Sequence, residues 1–348
     1  MRDASVSVDA LFGPEHGFVG AAQDMESVVG EAVDAPRVYS LYGMTEASLR
    51  PTPDMLAGLD VIVVDLQDVG ARYYTYAATL AYVMEAAAEA RVAVMVLDRP
   101  NPLGGREEHI EGPTVQPGFG SFVSELAVPI RHGMTLGELA VMIRARRNLD
   151  VDLDVRTMEG WRRDLEFDAT GLPWVLPSPN MPTLDTAFVY PGQCLFEGTE
   201  LSEGRGTTRP FELAGAPWID GEAWAKGAEV GIGPGVVLRP TAFRPMFQKH
   251  AKTTCGGVQL HVVDRGRFRP VQCSAALLWA AKNLDPGHFA WREDAYEFVD
   301  DRPAIDVLFG SDVFRQSLDA DAPWPDVAET LSVGIEEFRE VRRDWLLY

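Results

Sequence analysis

The chain has 348 residues, 46% of them hydrophobic and 24% charged, which describes a soluble globular protein long enough for two domains and in need of no disulfide support. Its formal net charge of −21 disfavours nucleic-acid phosphates and anionic membranes as partners, and no apolar run reaches the ~18 residues of a membrane span. Three cysteines, Cys194, Cys255 and Cys273, without Cys-x-x-Cys spacing argue against a disulfide framework, a zinc knuckle or a redox motif, and the opening residues hold no signal-peptide core, so the chain reads as cytoplasmic.

Val6 to Phe12 predicts a short strand, and Arg37 to Leu41 another. Asp60 to Leu66 is β-branched, apolar and bounded by polar residues, which predicts a buried strand. Thr75 to Ala90 predicts a helix with Leu80, Val83, Met84 and Ala87 on one face. Val92 to Leu97 is the next strand, completing a βαβ unit with a right-handed crossover. Thr135-Leu136-Gly137-Glu138 predicts a capping box that opens a helix through Arg147. Val151 to Val155, alternating with Asp, suits an edge strand. Pro173, Pro177, Pro179, Pro182 and Pro191 exclude long helices and interior strands over this stretch. The domain junction is expected here, giving residues 1–190 and 191–348. In the second half Gly257 to Val263 predicts a half-buried strand, Cys273 to Asn283 a helix and Ile335 to Leu347 a terminal helix. The fold class is α/β.

Three strands of the first hundred residues each run into a polar cluster rich in Gly or Pro. In an open α/β sheet, ligands bind outside the carboxyl ends of the strands. In Gly13-Pro14-Glu15-His16-Gly17 a proline and two glycines predict a tight turn with Glu15 and His16 at its tip. Partial burial there favours the protonated carboxyl that a general acid needs; otherwise this is a strand-to-helix turn with a surface glutamate. In Asp65-Leu66-Gln67-Asp68 two carboxylates and an amide can bind sugar hydroxyls or supply a base, or merely close an Asx-turn. Arg72 with Tyr73, Tyr74 and Tyr76 suits sugar stacking plus anion capture, although some of these tyrosines belong to the core. In Asp98-Arg99-Pro100-Asn101-Pro102 a rigid loop presents Asn101, and the Asp-Arg pair doubles as a structural salt bridge. His132 lies just before a helix start and is a weaker candidate. Asn180 falls in a proline-framed loop. The stretch from Glu197 to Thr208 is polar and Gly-rich, with Glu197, Glu203 and Arg205. It reads as a substrate loop, because Arg205 between two glycines can approach a carboxylate closely.

Several chemistries lack their signatures. There is no G-x-G-x-x-G after a strand, no G-x-x-x-x-G-K-[ST], no G-x-S-x-G and no H-E-x-x-H. The histidines are scattered, so neither a metal nor another cofactor is signalled.

The segments LFGPEHG, VYSLYG with the following RPTP, DLQDVGARYYTY, VLDRPNPLGG, EGP, RHGMTLGELA, PSPNMPT, YPG, EGTELSEGRGTT and GAPW are long and ordered. Together they resemble the NamZ-type exo-β-N-acetylmuramidases of bacterial cell-wall recycling, from Leu11 to the terminal Leu-Leu-Tyr. The resemblance implies a Rossmann-like N-terminal domain with parallel strands, a smaller α+β C-terminal domain and an active site in the cleft between them. It implies release of terminal N-acetylmuramic acid (MurNAc) from the non-reducing end of peptidoglycan fragments, with Glu15 as the leading catalytic carboxyl. The second group is open among Asp65, Asp68, Glu197, Glu203 and the substrate's own acetamido group. Arg72 and Arg205 are candidates for the lactyl carboxylate that distinguishes MurNAc from N-acetylglucosamine (GlcNAc). Two departures stand out. Family members usually carry a further strand and helix before the LFGPEHG strand, and they read Asn where this chain has Glu200. Two other readings remain: a muropeptide-binding protein without turnover, and a metal-dependent hydrolase built on Asp65, Asp68, His16 and His132.

Overall fold

The computed structural model describes residues 6–17, 26 and 36–348. The first five residues, part of the leader reading above, lie outside them. The strands of the first half pair in parallel throughout. β1 (Ala10–Gly13) pairs with β2 (Arg37–Ser40), and β3 (Val61–Val64) pairs with β4 (Ala93–Leu97), which pairs in turn with β5 (Leu153–Arg156). The central position of β4 shows in its side chains: Val94 and Val96 are fully buried. The helix Tyr76–Ala90 joins β3 to β4 and buries Leu80, Met84 and Ala87 against Leu139, Ala140 and Ile143 of the helix Leu136–Arg146. The capping box is present. The Thr135 hydroxyl accepts from Glu138 N at 3.2 Å, and Glu138 Oε2 accepts from Thr135 N at 3.0 Å.

β1 begins at Ala10 rather than Val6, and Val6 and Val8 are exposed. A groove of about 720 Å³ runs between that segment and β3, whose Val61 and Val63 are also exposed.

The second half carries an antiparallel sheet in the order β6 (Leu213–Ala216), β8 (Cys255–Val262), β7 (Val236–Phe243). The helix Gly221–Ala228 packs on it, and the helix Pro270–Leu284 packs on that helix and on Leu184–Gln193. The prolines at the junction do not keep a helix out, because Leu184–Gln193 is helical with Pro191 inside it. Pro182 precedes the helix, Thr183 caps it by accepting from Thr186 N at 3.3 Å, and Pro191 falls in its last turn. There it has no N–H to give to the Ala187 carbonyl, and the chain tightens into a 3₁₀ turn at Cys194–Gly198. The terminal helix stops at Arg342, short of Leu347. One apolar core spans both halves, joining Val69, Tyr73, Leu103 and Ile130 to Phe196, Trp224, Leu277 and Phe309. The three cysteines are buried and free. Among the described residues no helix is long and apolar enough to cross a membrane.

Candidate active site

The turn after β1 is closed by Gly17 N–H donating to Pro14 O at 2.9 Å. Its third residue, His16, has φ 72°, in the left-handed region that such a turn requires. This places the Glu15 carboxyl in the interior, 5% exposed. The Thr75 hydroxyl donates to Glu15 Oε2 at 2.6 Å. Thr75 directly precedes the helix Tyr76–Ala90, so Glu15 sits at the positive end of the helix dipole.

The first half lines the cleft around Glu15 with His16, Tyr73, Tyr74, Thr75, Val123, Ser178, Asn180 and Met181. Tyr190 at the junction and, from the second half, Glu197, Arg205, Phe211, Tyr296 and Glu297 complete the lining. Tyr74 stands edge-on to Tyr76 and Tyr190, with ring centroids 4.9 and 5.9 Å away. Arg205 lies between Gly204 and Gly206, at φ 80° and 82°. A Cβ at Gly206 would meet Phe247 backbone at 2.5 Å, so glycine alone permits this approach. The Arg205 guanidinium donates to Glu197 Oε1 at 2.7 Å and stacks over Phe211. Tyr296 OH donates to Glu197 Oε2 at 2.6 Å. Burial alone would raise the Glu197 carboxyl, but Arg205, Tyr296 and Lys249 outweigh it and hold it below its usual range. Glu203 pairs with Lys249 at 2.9 Å and lies 3.6 Å from Arg205. Two carboxylates thus balance two cations, Glu197 and Arg205 in the cleft lining and Glu203 and Lys249 beyond it.

The other sequence candidates are placed elsewhere. Asp65 pairs with Arg99 at 2.7 Å, both about half-exposed, and with Gln67 they line the groove beside β3. Gln67 donates to the carbonyls of Asp68 and Pro100. Asp68 turns inward, where its Oδ2 accepts from Gly70 N at 2.6 Å, the Asx-turn arrangement. Desolvation pushes its carboxyl up to about 7, against the opposing Gly70 hydrogen bond. His132 Nε2 is 4.0 Å from it, and burial brings that imidazole down to about 3, so it is neutral. Arg72 is a buried strut whose guanidinium donates to the carbonyls of Pro113, Val128 and Leu308. It does not line the cleft, because those three carbonyls hold its fork in the interior. Asp98 caps the helix Leu136–Arg146 through Gly137 N at 2.8 Å and also accepts from Thr135 and Tyr348. Asn101 bridges Met134 O and Leu103 N. Among the described residues no three His, Cys, Asp or Glu side chains are grouped as metal ligands. The residues of the metal-dependent alternative are dispersed between the cleft, the groove and the interior.

Comparison with known proteins decides the family. The model of the NamZ exo-β-N-acetylmuramidase N-terminal domain matches residues 1–185, and that of the C-terminal domain matches residues 188–348. The chain belongs to the NamZ family. It is 43% identical over 350 residues to the peptidoglycan β-N-acetylmuramidase NamZ of Bacillus subtilis, covering 100% of this chain and 81% of that protein. Two solved proteins of the DUF1343 family from Bacteroides fragilis share its fold. One has TM-score 0.83 and 33% identity over 97% of this chain and 86% of its own. The other has TM-score 0.73 and 29% identity over 98% and 86%.

Within this NamZ-family cleft, sequence reasoning missed Thr75, Tyr296 and Glu297. Thr75 was readable as the residue before a helix. Glu297 carried no signal, because Tyr296-Glu297-Phe298 contains none of the residues that mark turns.

Proposed function

We propose that this chain is an exo-acting glycoside hydrolase that releases terminal MurNAc from the non-reducing end of peptidoglycan fragments. The substrate class is supported by the 43% identity, over the whole of this chain, with the B. subtilis enzyme. In the structure, the observation that carries the chemistry is the Glu15 carboxyl, 5% exposed in a cleft lined by both halves and fixed by the Thr75 hydroxyl. Glu15 acts as general acid: it delivers a proton to the glycosidic oxygen as the bond to the anomeric carbon breaks. Arg205 is the recognition residue for the lactyl carboxylate, since it lines the cleft and Arg72 does not. A division into residues 1–190 and 191–348 puts Glu15 in the first domain and Arg205 in the second.

Glu15→Gln tests this on two β-MurNAc substrates: a MurNAc-GlcNAc disaccharide and a 4-nitrophenyl glycoside. With the disaccharide, whose leaving oxygen needs protonation, kcat is expected to fall by roughly 10²–10⁴-fold. With 4-nitrophenolate the loss is smaller, and the β-GlcNAc counterpart is not hydrolysed by the wild type. Equal losses on both substrates remove Glu15 from the acid role. A folded wild-type chain without turnover on either replaces the hydrolase reading by that of a muropeptide-binding protein.

A further inference from the structure

Three carboxyl groups line the cleft: Glu15, Glu197 and Glu297. Glu197 has one oxygen on Arg205 and the other on Tyr296. Glu203 stands behind it, paired with Lys249. Asp65 lies outside the cleft and Asp68 points into the interior.

Glu297 is placed differently. Tyr296 and Val299 exchange both backbone hydrogen bonds, at 2.8 and 2.9 Å, so Glu297 and Phe298 are the two central residues of a tight hairpin turn. Their φ angles are 47° and 67°. A turn with positive φ at both positions ordinarily takes Asn-Gly or Gly-Gly. Side chains such as Glu and Phe there cost on the order of 1–3 kcal/mol each, and such strain clusters at functional sites. Glu297 is nonetheless 3% exposed and lines the cleft. Tyr42 OH, from the segment after β2, donates to Glu297 Oε2 at 3.0 Å. The rings of Tyr42, Phe122 and Phe298 pack together with centroids 5.8–6.3 Å apart and clamp the turn onto the first half. His16 likewise adopts φ 72° beside Glu15, so two strained tight turns, one from each half, deliver one carboxyl each to the same cleft.

We propose that Glu297 is the second catalytic carboxyl, the general base that activates the hydrolytic water, a step that rests on the muramidase reading above. Its carboxylate takes a proton from water as the water oxygen bonds to the anomeric carbon. The glycosidic C–O bond breaks, its electron pair goes to the leaving oxygen, and that oxygen takes the proton of Glu15. One water is consumed, and solvent restores both carboxyl groups to their starting states. Tyr42 is a positioning residue that holds the Glu297 carboxylate. The first-formed sugar is then the α anomer.

The test uses the full chain with wild type, Glu15→Gln, Glu297→Gln and Glu297→Ala on the same two MurNAc substrates. Glu297→Gln is expected to lose about 10³-fold in kcat on both substrates alike, because attack by water is needed whatever the leaving group. Sodium azide is expected to restore turnover of the 4-nitrophenyl glycoside by Glu297→Ala and to yield the α-glycosyl azide, which only a folded cleft can make. Proton NMR of the wild-type reaction is expected to show α-MurNAc before mutarotation. Retention of kcat within tenfold of wild type by Glu297→Gln overturns the assignment. So does a β first product, or the absence of α-azide. If the wild type turns over neither substrate, it is the muramidase reading that fails. If the wild type is active and Glu15→Gln impaired while Glu297→Gln stays active, only the role of Glu297 fails.

Discussion

Thr75 stands at the N-terminal boundary of the helix Tyr76–Ala90, yet its hydroxyl makes no capping bond to the helix backbone. It donates instead to Glu15 at 2.6 Å. A proton donor misplaced by about 1 Å can cost about a hundredfold in rate. Thr75→Val is expected to lower kcat by roughly ten- to a hundredfold through a misdirected carboxyl, with a stability loss of about 1–3 kcal/mol in urea unfolding from the buried acceptor it leaves. Thr75→Ser restores the hydroxyl and with it most of the activity. A Thr75→Val enzyme as active as wild type would mean that the contact does not orient the acid. The same scale explains why Glu15 was legible and Glu297 was not. Glycine and proline announce the turn at Pro14–Gly17, whereas Glu297 and Phe298 occupy left-handed positions that sequence reserves for glycine or asparagine. Asp68 and Arg72 misled in the opposite sense. Polar residues at a strand end look solvent-facing, but these two serve a turn and three carbonyls in the interior.

Elements with a clean apolar period were readable from sequence. β3 and β4 follow from apolar, largely β-branched runs bounded by polar residues, and the helix between them from the spacing of Leu80, Met84 and Ala87. The helix Leu184–Gln193 was hidden by the prolines around it, and its packing rests on a feature no local pattern reveals. A Cβ at Gly192 would stand 1.9 Å from Pro270 O, at the start of the helix Pro270–Leu284. Two helix backbones meet there at van der Waals distance, and this contact seats the Tyr190 end of the cleft. Gly192→Ala must push one helix away, since the obstacle is backbone rather than a side-chain tip. The expected loss is about 1–3 kcal/mol, the range for overpacking a close contact. Gly227 is the control: it lies in the helix Gly221–Ala228, and its Cβ would make an ordinary 3.5 Å contact with Ala280. Gly227→Ala is expected to be neutral or to stabilise by up to about 1 kcal/mol. Urea titration of both variants decides it: equal shifts would deny the close approach its structural role.

At the scale of the molecule, the halves share one core, and ionisable groups are buried with it. The Glu111 Oε1 accepts from Gln272 N at 2.7 Å, so a carboxyl of the first half caps a helix of the second. Desolvation pushes Glu111 up to about 7, against the Gln272 hydrogen bond and the Arg131 charge, and brings Asp68 to about 7 as well. In the unfolded chain these carboxyls ionise near 4.5 and 3.8. Between those values and about 7 the folded state holds protons that the unfolded state has released. Their contribution is therefore full at low pH and is lost as pH rises to about 7. Burial has the reverse effect on His109 and His132, lowered to about 4 and about 3 from 6.5. Their contribution is full above 6.5 and is lost as pH falls. Between about pH 4.5 and 6.5 the two pairs oppose each other, so acidification over that window gains through the carboxyls much of what it loses through the histidines. Asp68→Asn combined with Glu111→Gln removes the first pair and leaves the second. The stability of the double variant relative to wild type is then expected to rise with pH from 4.5 to 7, by on the order of a few kcal/mol. Urea unfolding at four pH values across that range measures the difference directly, and any constant cost of the substitutions cancels from its slope. Parallel curves for the two proteins would show that Asp68 and Glu111 ionise alike in the folded and unfolded chains, and the compensation would have to be abandoned.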